Sequence, residues 1–296
     1  MNIERVQLQS PDKKHKAVIL PALGGALASL LLNGIEVIQF PLKNSNSWRD
    51  GFPSSILFPF PNRTNGGTYT YMEKKYQLPV NEESRGHAIH GLVAETSFNV
   101  LQITEHQVKL SHTLLGQEIG YPFKCELVLD YSLSNEGLEL SFIMTNQDDV
   151  PIPVAFGWHP YFRLEESSID TLQLEMPSHQ EVQINSVHIP VGYLPLKERQ
   201  TRALKGVTLD TAYLLNEVDW VVTRLIGSKS TLTISQLCDS SAGLTYLVVY
   251  TPETRDCIAI EPQTANIDTF NNQEGLLFLK PFESKQGKMK VSLQAT

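Results

Sequence analysis

The stretch Leu127-Val128-Leu129-Asp130-Tyr131-Ser132-Leu133-Ser134-Asn135-Glu136-Gly137-Leu138-Glu139-Leu140-Ser141-Phe142-Ile143-Met144 decides the fold class. Leu127, Leu129, Tyr131 and Leu133 recur at every second position, with Asp130 and Ser132 between them. After Ser134-Asn135-Glu136-Gly137 the rhythm returns as Leu138, Leu140, Phe142 and Met144, against Glu139, Ser141 and Thr145. Successive side chains of a strand point to opposite faces, so this stretch predicts a hairpin with one buried face.

Outward from the hairpin the same period of two dominates. Residues 107–114, 231–235, 243–250 and 257–260 read as shorter strands. Helical periodicity is nearly absent, and only residues 194–203 suggest a helix, weakened by Pro195. Turn punctuation recurs at Asn33-Gly34, Asn65-Gly66, Gly227-Ser228 and Pro252-Glu253. No linker, repeat or charge block divides the chain. A length of 296 residues would suit two domains of about 150 residues, but large β architectures exceed that size as one unit. The expectation is therefore an all-β protein, a single domain over residues 1–296, with two large antiparallel sheets packed face to face.

Composition narrows the function. Hydrophobic residues make up 41%, enough for a large core. Lys plus Arg is 24 and Asp plus Glu is 32, a formal charge of −8. Such a chain lacks the basic footprint that phosphate backbones and anionic membranes select, so neither nucleic acid nor membrane is an expected partner. Cys125, Cys238 and Cys257 form neither a disulfide framework nor a zinc pattern. Three buried thiols in a reducing, cytoplasmic compartment are expected. Residues 17–35 carry no charge, but Pro21, Gly24, Gly25, Ser29, Asn33 and Gly34 interrupt them. Buried strands with an Asn33-Gly34 turn explain them better than a signal peptide or membrane span.

Five segments gather polar groups that could carry chemistry. In residues 57–67, Arg63 follows Asn62 in a Pro- and Gly-rich stretch. It reads either as a fork of donors for a ligand or as a solvated side chain on a surface loop. In Gly86-His87-Ala88-Ile89-His90-Gly91-Leu92, an extended backbone would put His87 and His90 on opposite faces, so the two are not expected to share a site. Phe156-Gly157-Trp158-His159-Pro160-Tyr161-Phe162 sets one titratable ring among aromatics that suit a sugar face or an ordinary core. Asp210 follows Leu209 at what could be a simple turn. Glu261 closes the apolar run Ile258-Ala259-Ile260, where an unpaired carboxylate is costly and desolvation would move its pKa toward that of a general base. No G-x-S-x-G, Walker loop, dinucleotide fingerprint or H-E-x-x-H is present.

Taken in order, these segments resemble the aldose 1-epimerase (galactose mutarotase-like) family. The likeness runs from Leu20-Pro21-Ala22-Leu23-Gly24-Gly25 through Asn62-Arg63, His90-Gly91-Leu92 and His159-Pro160-Tyr161-Phe162. It ends at Asp210 and at Glu261-Pro262-Gln263-Thr264 leading into Asn266 and Asn271. The resemblance implies a β-supersandwich and a cofactor-free isomerase that interconverts the anomers of an aldose by acid–base catalysis with ring opening. It matches Glu261 to the catalytic base, His159 to the acid and His90 to a second active-site histidine. Arg63 and Asp210 match residues that hold sugar hydroxyls, and Asn62, Trp158 and Gln263 are further candidates for substrate contact. A cationic His159, kept charged by a nearby carboxylate, is expected to act as the acid. The partner is then a small sugar, the assembly a monomer or homodimer, and no metal is required.

Pro160 and Pro262 stand where galactose mutarotases tend to have Asn and Thr, which marks a divergent branch and keeps two alternatives open. One is a hexose-6-phosphate 1-epimerase, with Arg85 available for the phosphate beside the opposing charges of Glu82 and Glu83. The other is a carbohydrate-binding protein without catalysis on the same fold. A metal site built from His87, His90, His159 and Glu261 is a third reading, disfavoured because no H-x-H pair is present.

Overall fold

The hairpin forms in the expected register. Strands Lys124–Ser134 and Gly137–Asn146 pair antiparallel with Leu127 opposite Met144, Leu129 opposite Phe142, Tyr131 opposite Leu140 and Leu133 opposite Leu138. Every alternating apolar residue of the stretch is therefore buried against its counterpart. A computed structural model describes residues 5–40, 51–164, 168–177, 179–196, 199–216 and 219–295.

The hairpin lies within a nine-stranded sheet. Its strand order is Asn99–Ile103, Gln107–Leu115, Lys124–Ser134, Gly137–Asn146, Ser284–Ala295, Ser230–Leu237, Trp220–Ile226, Gln173–Met176 and Gln200–Ala203. A second sheet of eight strands runs Pro190–Leu196, His179–Ile184, Asp210–Leu215, Tyr246–Tyr250, Ile258–Gln263, Gly157–His159 and Ser55–Leu57, with Tyr161–Phe162 also paired to Ile258–Gln263. Pairing within both is antiparallel. A third sheet of four strands, Val6–Gln9, Lys16–Leu20, Ala26–Leu32 and Ile35–Gln39, contains residues 17–35, and Asn33-Gly34 makes its last turn.

One hydrophobic cluster joins these layers. It takes Leu129, Tyr131, Leu140 and Phe142 from the nine-stranded sheet and Leu247, Val249, Ile258 and Ile260 from the eight-stranded one. Phe142 stacks on Phe156 with ring centroids 3.7 Å apart and planes 8° apart, which ties the nine-stranded sheet to the segment that enters the strand Gly157–His159 of the eight-stranded one.

Two expectations are corrected. Residues 194–203 form no helix: Pro190–Leu196 and Gln200–Ala203 are strands at the outer edges of the two sheets, and Lys197 and Glu198 lie outside the described residues. Edge positions tolerate Pro195, because one side of such a strand lacks a hydrogen-bonding neighbour. None of the three cysteines is in a disulfide among the described residues, but only Cys125 and Cys257 are buried, whereas Cys238 is half-buried. Among the described residues no helix is long and apolar enough to cross a membrane.

Phe142 tests the sheet-to-sheet packing. Phe142→Ala should destabilise the fold by about 3–5 kcal/mol, read as a lower urea midpoint. A midpoint within error of the parent would show that the Phe142–Phe156 stack is dispensable.

Candidate active site

The strand Ile258–Gln263 is buried along its whole length. Ile258 and Ile260 enter the core, so by alternation Ala259, Glu261 and Gln263 share the opposite face. Register then brings further residues to that face. Val248 pairs with Glu261, Tyr250 with Ala259 and Asp210 with Tyr250. On the other flank Gly157 pairs with Gln263, and His159 projects two residues further along. Ser54 donates its backbone N–H to the His159 carbonyl at 2.9 Å, fixing that strand end.

The other side of the site comes from irregular backbone. Asn62 and His90 both adopt left-handed conformations, with φ of 53° and 64°. His90 donates its backbone N–H to the Asn62 carbonyl at 3.0 Å, and Arg63 pairs with Ile89. Gly91 follows at φ +74°, where a Cβ would lie 2.3 Å from the Phe58 carbonyl oxygen, so only glycine fits. Behind this loop, Asp268 donates its backbone N–H to the Arg63 carbonyl at 2.7 Å and accepts from Asn65 N–H at 2.8 Å. The turn of residues 21–25 packs on the same loop: a Cβ on Gly24 would meet the Ala94 carbonyl at 2.6 Å.

These segments enclose a cleft of about 320 Å³ lined by Asn62, Arg63, His90, His159, Asp210 and Glu261, with Phe52, Tyr161, Val248 and Tyr250 as apolar walls. That size sits at the small end of ligand sites, which span roughly 300–1,000 Å³. His159 Nε2 lies 3.3 Å from Glu261 Oε1, with both side chains buried. His90 meets His159 edge-on at 5.1 Å between centroids, and Tyr161 stacks on the other side of His159 at 5.0 Å. The Nδ1 atoms of His90 and His159 have no hydrogen-bond partner among the described residues. Arg63 gives Nε and Nη2 to Glu82 at 2.8 and 2.9 Å, while Nη1 reaches Asn62 Oδ1 at 3.3 Å.

Burial governs the charge states. It pushes the Glu261 carboxyl well above the usual carboxylate range, assisted by the negative charge of Asp210. The amide of Gln263, donating to Oε2 at 3.0 Å, and the charge of Arg63 oppose this without reversing it. Burial also lowers His159 to about 4 and takes His90 well below its ordinary value, with His159 and Arg63 adding to the effect on His90. The expectation of a cationic His159 is thus corrected: desolvation of the charged ring outweighs the carboxyl beside it, and burial favours the neutral form of both groups.

Seven of the sequence candidates line the cleft: Glu261, His159, His90, Arg63, Asp210, Asn62 and Arg85. Arg63 is buried and paired, so the solvated surface-loop reading of its segment is corrected. Two candidates do not line the cleft. Trp158 is fully buried in the hydrophobic core, because strand alternation turns it away from His159. Gln263 is fully buried behind Glu261 and holds that carboxyl. His87 turns away too: Gly66 N–H donates to its Nδ1 at 3.1 Å and its Nε2 faces the Val187 carbonyl at 2.9 Å. The metal reading fails on geometry, since among the described residues no three His, Cys, Asp or Glu side chains converge to hold an ion. Sequence reasoning missed Phe52, Val248 and Tyr250 as cleft walls and Glu82 as the partner of Arg63. Their roles follow from register and loop geometry, for which no local motif exists.

The sequence profile of the family described as aldose 1-epimerase matches residues 5–292. The uncharacterized protein YihR of Escherichia coli (strain K12) is 28% identical over 280 residues, covering 90% of this chain and 86% of that protein. A galactose mutarotase-like protein from Clostridium acetobutylicum superposes with a TM-score of 0.84 at 21% identity, covering 96% of this chain and 93% of the other. The GalM/aldose epimerase homologue from C. elegans gives 0.84 at 18% identity, covering 99% of each chain. Identities this low establish likeness of fold.

The neutral histidines make stability pH-dependent. A histidine whose folded pKa is lowered adds stability above its unfolded value near 6.5, and that stability is lost as pH falls toward the folded value of about 4. The loss is at most about 1.4 kcal/mol per pH unit for each histidine. Glu261, raised, acts in the opposite direction, so His159→Asn isolates one contribution. The urea-derived stability difference between pH 7 and pH 5 should be smaller in His159→Asn than in the parent. Equal differences would mean that His159 is protonated in the folded protein at pH 5.

Proposed function

The chain belongs to the aldose 1-epimerase family, and from that premise we propose that it interconverts the α and β anomers of an aldose, with Glu261 and His159 moving the protons. One observation carries this reading: a buried carboxyl and imidazole 3.3 Å apart face a small cleft between Arg63 and Asp210. The two sugar atoms that must exchange protons, the C1 hydroxyl oxygen and the ring oxygen, are bonded to the same carbon. An acid and a base side by side can therefore serve both at once.

The cycle needs one transferable proton on the pair. Glu261 as carboxylate takes the proton of the C1 hydroxyl while His159 as imidazolium protonates the ring oxygen. The bond from C1 to the ring oxygen breaks, leaving an open-chain aldehyde, a carboxylic acid and a neutral imidazole. Rotation about C1–C2 presents the other face, and the ring closes with both proton transfers reversed. The neutral pair favoured by burial is the form reached when the ring has opened, so the dry floor of the cleft stabilises that stage. Arg63, Asn62 and Asp210 hold hydroxyls, while Phe52, Tyr161 and Tyr250 pack against the apolar edges of the sugar. The two arginines of the cleft are balanced by Glu82 and Asp210, so the site offers hydrogen bonds without net positive charge. For a 6-phosphate, Arg85 is the cleft arginine available, with its charge already shared with Glu82 at 2.8 Å.

Anomer exchange followed by polarimetry or saturation-transfer NMR, on a panel of free and 6-phosphorylated aldoses, tests the proposal. Glu261→Gln should lower kcat about 10²–10⁴-fold while calorimetry still detects sugar binding. A fully active Glu261→Gln protein removes Glu261 as the base. Sugar binding by the parent with no faster exchange on any member of the panel favours the non-catalytic reading.

The pH profile is a second test. The pair gains a second proton on the acid side near the His159 value of about 4 and loses its only proton on the alkaline side, above the usual carboxylate range. kcat/KM should therefore fall in acid only near pH 4, with its alkaline limb above the usual carboxylate range. An acid limb centred near 6.5 would contradict the neutral pair.

A further inference from the structure

Glu82 is the hub of a run of contacts around the rim of the cleft. Besides binding Arg63, it accepts from Arg85 Nη1 at 2.8 Å. Arg85 Nη2 lies 3.4 Å from His188 Nε2, and His188 Nδ1 lies 3.3 Å from Asp210 Oδ2. A guanidinium has only donors, so the imidazole nitrogen facing it must be the acceptor. In a neutral ring this puts the proton on Nδ1, which lies 3.3 Å from Asp210 Oδ2 without yet meeting hydrogen-bond geometry. The tautomer of His188 thus follows from Arg85, and its N–H stands beside one oxygen of Asp210, close enough to bond it after a small rotation of either side chain.

The backbone of His188 is built for this placement. Its φ of 64° is left-handed, uncommon outside glycine though histidine adopts it more readily than most. Residues 185–189 over-determine that conformation. Asn185 Oδ1 accepts from the N–H groups of Val187 and Ile189 at 3.0 Å each, and His188 N–H donates to the Asn185 carbonyl at 3.0 Å. His87 supplies the anchor to the opposite loop. Because its Nδ1 accepts from Gly66, its Nε2 carries the proton and donates to the Val187 carbonyl, one residue before His188. The histidine that the sequence singled out, and that the cleft does not use, thereby fixes the turn presenting His188.

We propose that His188 is a positioning residue that orients the Asp210 carboxylate for a sugar hydroxyl, its own tautomer being set by Arg85. The proposal rests on the aldose reading above, in which Asp210 contacts substrate. Direct attraction between His188 and Asp210 contributes little, because the pair is partly exposed, with side chains 22% and 39% accessible. Its effect is orientation: a carboxylate free to rotate would present its oxygens to the cleft only part of the time.

The test uses His188→Ala, His188→Gln, Asp210→Asn and the His188→Ala/Asp210→Asn double variant, with KM and kcat from anomer exchange and Kd from calorimetry on the same aldose. His188→Ala should raise KM and Kd about tenfold and lower kcat by no more than about threefold. His188→Gln, whose carbonyl can accept from Arg85 and whose amide can donate to Asp210, should recover most of the lost affinity. On the Asp210→Asn background His188→Ala should add nothing, since both changes remove the same interaction. Additive losses, an unchanged Kd in His188→Ala, or a glutamine variant no better than alanine at an equal urea midpoint would overturn the proposal. Arg85→Met leaves residues 185–189 intact and should raise KM in the same direction; no effect there removes Arg85 from the arrangement. A parent that binds aldoses without exchanging anomers defeats the catalytic reading, yet the Kd cycle still decides the role of His188. A parent that binds no aldose defeats both.

Discussion

Glu261 stands on a strand buried on both faces, where a carboxyl must be compensated or lose its charge. The nearest strong cation is Arg63, and its geometry is decisive: the Nε and Nη2 edge of the guanidinium is given to Glu82. Were that edge turned onto Glu261, a charge-assisted pair would hold the carboxylate ionised and too weakly basic to take a hydroxyl proton. Glu82 prevents this by occupying the fork, and Glu261 keeps the amide of Gln263 and the ring of His159. The consequence is a carboxyl with a raised pKa beside an imidazole with a lowered one. Two groups whose environments push their affinities for a proton toward each other exchange it at small cost.

The same logic explains why the cleft lies on the outward face of the eight-stranded sheet. Its inward face supplies Ile258, Ile260, Leu247 and Val249 to a core shared with the long hairpin. The face carrying Ala259, Glu261 and Val248 is covered instead by loops whose left-handed residues, Asn62 and His90, would be awkward within regular strands. Regular pairing thus provides the rigid floor, and strained, glycine-dependent backbone provides the wall. His159 and Glu261 on strands, with Asn62 and His90 on pinned loops, make a cleft whose geometry is set before any ligand arrives.

Strand alternation is a local property, and it made the hairpin of residues 127–144 readable down to its cross-strand partners. The same property misled at Trp158. Adjacent to His159 in an aromatic run, it looked like a sugar platform, yet neighbours along a strand face opposite ways. The candidates drawn from family resemblance, such as Arg63, His90, Asp210 and Glu261, do gather at one cleft. What escaped was everything set by register between distant strands. Val248 and Tyr250 reach the cleft because they pair with Glu261 and Ala259, and no pattern within residues 246–250 announces that pairing. Glu82 and His188 were equally opaque, since a charged residue in a polar loop looks the same whether it is solvated or holds another side chain.

The origin of the wall and floor has a kinetic implication. His159 pairs with Ser55, Arg63 with Ile89, and Asp268 holds the Arg63 carbonyl from more than 200 positions away. No contiguous fragment contains the site, so no early local structure can carry any part of its function. Topologies dominated by such distant pairings close large loops before they gain contacts, and they fold slowly for that reason. During refolding, the alternating hairpin can form from neighbouring residues alone, whereas His159 and Glu261 come together only when distant strands of the eight-stranded sheet have met. Regain of chemistry therefore marks completion of the topology, a later event than regain of β-structure.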